Sequence, residues 1–267
     1  MRMVRYLSQE GDVRYASEDS TGRCFDLDGD IYHSFDVTDH EVNMVNLLAP
    51  VEPRVLLCIG LNYRDHAQEQ GSKLPQWPML FIKAPNSLNH PGDPIVIPTH
   101  LASAEVDYEG ELAVVIGRDC KNVRREQALD YVFGYTIAND VTARDWQKKY
   151  SGGQFCRGKS FDTFAPLGPV LLTKDEIPDP GHLRIQTRVN GESRQDSNTS
   201  NLIFDVPTLI EFLSGSTTLL AGSVILTGTP GGVGMAMKPP HYLQPGDVVE
   251  VEIEKIGVLS NPVTKEY

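Results

Sequence analysis

Two glutamates two residues apart raise the first question of chemistry. The run Val106-Asp107-Tyr108-Glu109-Gly110-Glu111-Leu112-Ala113-Val114-Val115-Ile116 has the composition of a strand, and a strand sends Glu109 and Glu111 to one face. Carboxylates side by side repel, a poor use of a sheet face unless a cation lies between them. Oxygen donors suit a hard divalent ion: Mg²⁺, Mn²⁺ or Ca²⁺. On spacing alone the blander reading leads, a solvent-facing edge with Asp107 buried or capping. A third carboxylate, Asp140, stands where the apolar run ending at Asn139 gives way to polar residues. Alone it reads equally well as a cap or turn residue. With Glu109 and Glu111 it would complete a set able to hold an octahedral ion with open positions for water or substrate.

His66 and Glu69 are spaced i, i+3 in a short polar segment, on one face if it is helical. Glu69 could orient the imidazole and raise its pKa, making a base able to activate water; a solvated helix face is the simpler alternative. Lys83 follows the apolar Met79–Ile82, and Lys159 sits in Arg157-Gly158-Lys159-Ser160. Near a carboxylate-bound metal a Lys can hold an oxyanion or a water, whereas alone it snorkels. The run Gly228-Thr229-Pro230-Gly231-Gly232-Val233-Gly234 could expose backbone N–H groups to an anionic carboxylate, or form a plain turn. Gly153–Ser160 matches the nucleotide phosphate loop G-x-x-x-x-G-K-S letter for letter. That loop needs a buried strand before it and a helix after it. Here polar residues precede it and a Pro-rich stretch follows, so the nucleotide reading fails. No G-x-S-x-G elbow supports a serine hydrolase.

The elements that must position these groups are mostly strands. Strand patterns recur at 55–58, 79–83, 94–98, 105–116, 131–137, 168–173, 183–189, 223–227 and 247–255, punctuated by 18 Pro and 23 Gly. Helical patterns are confined to 64–70, 124–130 and Val206–Ser214, the last with Pro207 at its start. Such a chain is mainly β, a roll or barrel and not alternating βαβ units. Residues 1–52 read as a small β-rich appendage with a hairpin turn at Asp28-Gly29, and 53–267 as the catalytic domain. The 267 residues carry a net charge of −12, which repels phosphate backbones and argues against nucleic acid. No apolar run approaches the ~20 residues of a membrane helix. Arg2 and Arg5 are followed by Glu10, Asp12, Glu18 and Asp19, unlike a secretory signal or a typical transit peptide. Four widely spaced cysteines read as reduced thiols, so the expected compartment is the cytoplasm, with the mitochondrion second.

Taken together the chain resembles the fumarylacetoacetate hydrolase family over roughly residues 53–263. The resemblance is carried, in family order, by Gly60-Leu61-Asn62-Tyr63-x-x-His66, Phe81-Ile82-Lys83, Asp107-Tyr108-Glu109-Gly110-Glu111, Asn139-Asp140-Val-Thr-Ala-Arg144-Asp145, Lys159-Ser160-Phe161-Asp162, Asn190-Gly191 and Thr227-Gly228-Thr229-Pro230. The ending around Lys238-Pro239-Pro240 and Gly246-Asp247-Val248 points to the domain-containing protein 2 branch. The resemblance implies a β-roll fold, a homodimer, and Mg²⁺ or Mn²⁺ on Glu109, Glu111 and Asp140, a site Ca²⁺ can also occupy. It implies a small 2-oxo or β-diketo acid substrate whose adjacent oxygens chelate the metal, so that an enolate is stabilised. It further implies that His66 and Glu69 activate water, that Lys159 and Gln147 line the substrate, and that Lys83 lies near the metal's water. Thr229, with its neighbour Gly228, and Arg144 fall among the implied substrate contacts. On this footing C–C hydrolysis of an acylpyruvate-like acid is expected first. Tautomerisation or decarboxylation of oxaloacetate comes second, and a catalytically silent binding protein last. The loop between Asp140 and Lys159, with Lys148, Lys149, Gly152 and Gly153, is where the chain departs from the pattern, and such loops set substrate shape.

Overall fold

The strand Gly110–Ile116 is buried along its whole length, which explains its unbroken apolar run. Leu112, Val114 and Ile116 face one core and Ala113 and Val115 another, the period of two that a strand imposes. A computed structural model describes all 267 residues. Gly110–Ile116 is a central member of a 12-stranded sheet. From edge to edge the main path runs Phe35–Glu41, Cys24–Gly29, Val13–Glu18, Arg2–Leu7, Ala165–Thr173, Val132–Asn139, Gly110–Ile116, Val224–Leu226, Leu56–Gly60 and Met79–Lys83. A second sheet of five strands, with Arg184–Val189 and Val248–Ile253 inside it, covers one face of the first. Between them Ile185, Val251, Ile253 and Leu259 pack with Leu112, Val114 and Leu209 of the helix Val206–Ser214. That helix starts where Asp205 accepts the N–H of Thr208 (3.0 Å), with Pro207 in its first turn.

The fold is mostly β with few short helices, as the sequence predicts. Two local expectations change. The pattern at 105–116 is two strands: Val106–Asp107 pairs with Thr142–Ala143 in a ladder of its own, and the chain breaks at Tyr108-Glu109 before Gly110. The hairpin turn lies at Asp30–Ser34, because Asp28 and Gly29 still pair with Asp36 and Phe35. The first strands belong to the large sheet, where Arg2 and Met3 pair with Leu172 and Leu171. No helix is long and apolar enough to cross a membrane.

Candidate metal centre and active site

Strand register builds the acidic cluster. Gly110–Ile116 and Val132–Asn139 pair antiparallel with Gly110 opposite Asn139, so the start of one lies against the end of the other. Glu109, just before the first, therefore meets Asp140, just after the second. The Asp140 N–H donates to the Glu109 carbonyl at 2.8 Å, and the Glu109 N–H donates to the Asn139 side chain at 2.9 Å. Glu109, Glu111 and Asp140 are 6%, 1% and 0% exposed, and carboxylate oxygens of all three lie within 4.8 Å of one another. Gly110 between the glutamates touches the second sheet. A Cβ there would come 2.3 Å from the Thr187 hydroxyl, so only glycine lets this strand end approach.

Three buried cations answer the carboxylates. Lys159 Nζ donates to Glu109 Oε2 (2.7 Å) and Asp140 Oδ2 (2.6 Å). Lys83 Nζ donates to Asp140 Oδ1 (2.6 Å) and the Val141 carbonyl (3.0 Å). Arg144 pairs with Glu109 Oε1 (2.6 Å) and with Asp107 Oδ2 (2.8 Å). Asp107 is itself fully buried and also takes the N–H groups of Gly234 (2.8 Å) and Met235 (3.1 Å). Four carboxylates thus face three cations, and the surplus negative charge falls on Glu111. Its only partner is the Gly228 N–H, at 2.6 Å. Burial, then Asp140 and Glu109 beside it, push the Glu111 carboxyl well above the usual carboxylate range. Burial also opposes charge on Glu109, yet Lys159 and Arg144 hold its carboxyl well below that range. Lys83 is pushed down by burial in spite of Asp140, whereas Asp140 and Glu109 overcome the burial of Lys159 and raise it. A divalent ion among these three carboxylates would supply the missing positive charge, so the donor set fits one.

Lys159 reaches the cluster because a four-residue helix, Cys156–Lys159, packs on a wide π-type turn at Trp146–Tyr150. The contact needs Gly158, since a Cβ there would lie 2.7 Å from the Gln147 nitrogen and 2.8 Å from the Ala143 carbonyl. The glycine and lysine that imitate a phosphate loop therefore serve to seat an ammonium on two carboxylates.

The helix Arg64–Glu69 carries the base candidate. His66 is 4% exposed, and its Nδ1 lies 2.9 Å from Glu69 Oε1. The other Glu69 oxygen accepts the Gly232 N–H at 2.7 Å, tying the helix to the glycine-rich loop. Gln70, a residue the sequence left unremarked, brings its amide 2.7 Å from His66 Nε2. Just before the helix, Asn62 donates to the Thr227 carbonyl (2.7 Å) and accepts the Phe204 N–H (2.8 Å).

The acidic cluster and the base candidate meet at a cavity of about 200 Å³. Of the residues singled out in the sequence, His66, Glu109, Glu111, Arg144, Gln147, Lys159 and Thr229 line it. Lys83 does not. A fully buried ammonium gives its N–H groups to protein acceptors, and Lys83 props Asp140 from behind where substrate contact was expected. Gly228 also departs from expectation. Its N–H, and those of Gly232 and Gly234, are taken by Glu111, Glu69 and Asp107, so the loop fixes side chains and leaves those donors unavailable to a substrate carboxylate. Thr229 donates to the Gly110 carbonyl (3.1 Å) and accepts from Gln195 (2.7 Å). Gln195 had no sequence signal, since its strand Glu192–Asn198 is polar throughout.

The model of the fumarylacetoacetate (FAA) hydrolase C-terminal domain matches residues 55–264. The chain belongs to the fumarylacetoacetate hydrolase family. Among its relatives is the mitochondrial oxaloacetate tautomerase of Xenopus laevis, 52% identical over 82% of this chain and 68% of that one. The oxaloacetate tautomerase YisK of Bacillus subtilis is 48% identical over 84% and 75%. A solved structure described as fumarylacetoacetate hydrolase, from the psychrophile Exiguobacterium antarcticum, superposes with a TM-score of 0.87 at 43% identity, each chain covered in full. The protein is an enzyme of the fumarylacetoacetate hydrolase family, whose members depend on divalent metals and act on small molecules.

Proposed function

We propose that this fumarylacetoacetate hydrolase family enzyme is an oxaloacetate tautomerase that interconverts the enol and keto forms of the acid. The observation that carries the reading is the single cavity in which Glu109, Glu111 and Lys159 meet His66. Its volume, about 200 Å³, is below the roughly 300–1,000 Å³ of drug-sized sites and suits a metabolite of a few carbons. The choice of reaction rests on the relatives. Sequence reasoning placed C–C hydrolysis first and tautomerisation second, and two relatives named oxaloacetate tautomerases reverse that order.

In this reading Glu109, Glu111 and Asp140 hold Mg²⁺ or Mn²⁺, and Ca²⁺ can take the same oxygen donors. A divalent ion held there would supply Lewis acidity to the substrate's 2-oxo group. Gln147 Oε1 accepts from Arg144 (3.2 Å), which leaves its amide N–H groups for a substrate carboxylate. Glu69 accepts the Nδ1 proton of a neutral His66, which leaves Nε2 as a base. Once the Gln70 amide yields that position, Nε2 takes the enol hydroxyl proton and returns a proton to C3. No water enters the balance. Hydrolysis is the second reading, favoured by the same His66–Glu69 pair, whose Nε2 could activate a water instead.

The proposal includes the division at residue 52 and a homodimer in the cytoplasm. Supporting the dimer, the sheet ends at Met79–Lys83, an edge strand that exposes Leu80 and Ile82 beside Trp77 and Leu74. Supporting a reducing compartment, none of the four cysteines is paired. The test is proton NMR of the Mg²⁺-loaded protein with enol-oxaloacetate and, separately, acetylpyruvate. Fast ketonisation of the first, abolished by EDTA, with the second intact, is expected. Acetate plus pyruvate from acetylpyruvate, with no ketonisation, would replace this reading by hydrolysis.

A further inference from the structure

Three cations other than histidine line the cavity, and their pairing differs. Arg144 is shared by Asp107 and Glu109, and Lys159 by Glu109 and Asp140. Lys148 has no carboxylate partner and no hydrogen bond, although it lines the same wall and its neighbour Lys149 is paired with Glu105. We propose that Lys148 selects the substrate's second carboxylate, making the site specific for 2-oxo dicarboxylates over 2-oxo monocarboxylates. This rests on the tautomerase reading of the site and deepens it.

The supporting geometry is the turn that carries Lys148. Asp145 anchors its start, accepting from the Ser103 hydroxyl (2.8 Å) and from the N–H groups of Ala104 (3.1 Å) and Trp146 (2.8 Å). The Ser151 hydroxyl closes its end on the Gln154 carbonyl, at 2.6 Å. Within the turn Gln147 is 5% exposed and Lys148 is exposed, yet both line the cavity. An amide donor below and an ammonium at the mouth therefore face one substrate from one turn anchored at both ends. Charge arithmetic agrees. Four carboxylates against Lys83, Arg144 and Lys159 leave −1, and a divalent ion makes the floor +1. One substrate carboxylate neutralises that. A second carboxylate needs another cation, and Lys148 is the cavity-lining cation left over. Partial burial and then Arg144 hold its ammonium below the usual lysine range, a cost that an incoming carboxylate would relieve.

The experiment compares the wild type with Lys148→Gln and Lys148→Arg, all Mg²⁺-loaded, using oxaloacetate and its 4-methyl ester. Each is measured by enol ketonisation and by calorimetric titration. In Lys148→Gln the oxaloacetate KM and Kd should both rise about five- to tenfold, with kcat within about twofold and the ester unaffected. Lys148→Arg should retain the discrimination. Equal loss for both compounds, or no change for either, overturns the role of Lys148 while wild-type ketonisation stands. Binding that discriminates through Lys148 without wild-type ketonisation overturns the tautomerase and keeps the selector. Absence of both binding and ketonisation in the wild type overturns both.

Discussion

The floor and the rim of the cavity are built differently. The floor, Asp107, Glu109, Glu111 and Asp140 with Lys83, Lys159 and Arg144, is no more than 6% exposed at any residue. Every floor charge except that of Glu111 has an ion-pair partner. Its placement follows from the pairing of Gly110–Ile116 with Val132–Asn139, deep in the sheet. The rim, His66 with Glu69 and Gln70, and Gln147 with Lys148, stands on a six-residue helix and a single wide turn. A one-residue shift of register would exchange the residues facing the two cores on either side of Gly110–Ile116, so the floor is fixed by the same contacts that fold the protein. Short helices and turns tolerate exchange. In the proposed reading the floor would hold the metal, and the rim would supply the base and select the acid.

Breaking the floor should cost most. Glu111→Ala removes the carboxylate that has no cation partner, and activity should fall about a thousandfold or more. The Mg²⁺-induced rise in Tm, read by differential scanning fluorimetry, should vanish with it. A retained Mg²⁺ shift would remove the triad from the account. Lys159→Met leaves Glu109 and Asp140 each short of a buried partner, a loss of about 3–5 kcal/mol. That corresponds to a fall in Tm on the order of 10 °C. An unchanged Tm would show that the pairs contribute little. At the rim, Glu69→Gln should slow ketonisation only about tenfold and leave Mg²⁺ affinity unchanged, because Glu69 touches His66 and Gly232 but none of the three floor carboxylates. If hydrolysis occurs at all it should suffer more than ketonisation, since it alone needs an activated water. A matched loss in both would dissolve the separation of floor from rim.

The same contrast governs what the sequence made legible. Glu109 and Glu111 are legible as a pair, because two like charges in a strand pattern raise the question of a cation, although spacing alone favours a solvent-facing edge. The helix Val206–Ser214 carried its own Pro207 and apolar face, and the structure gives it those bounds. Local patterns did not show partners distant in the chain. Asp107 reads from sequence as buried or capping, whereas in the fold it holds Arg144, Gly234 and Met235 at once. Gly228 looked like a donor for substrate, but its N–H serves Glu111 across the sheet, 117 residues away in sequence. Lys83 closes the site from outside the cavity wall, a distinction that alternation along one strand cannot make. Gly158 was legible only as part of a misleading motif, because its necessity lies in the close approach of the Trp146–Tyr150 turn.

The central claim is that the floor is one positive charge short and that a divalent ion supplies it at Glu111. The direct measurement is calorimetric titration of Mg²⁺ into the protein across pH, in buffers of different ionisation enthalpy, for the wild type and Glu111→Gln. A raised pKa favours the protonated carboxyl, so the metal-free fold gains stability as pH falls through it, and Mg²⁺ must displace that proton. The account predicts wild-type affinity that weakens as pH falls, beginning above the ordinary carboxylate range, with proton release on binding, and much weaker, proton-silent binding in Glu111→Gln. Equal Mg²⁺ affinity in the two proteins, with no proton released by either, would contradict it.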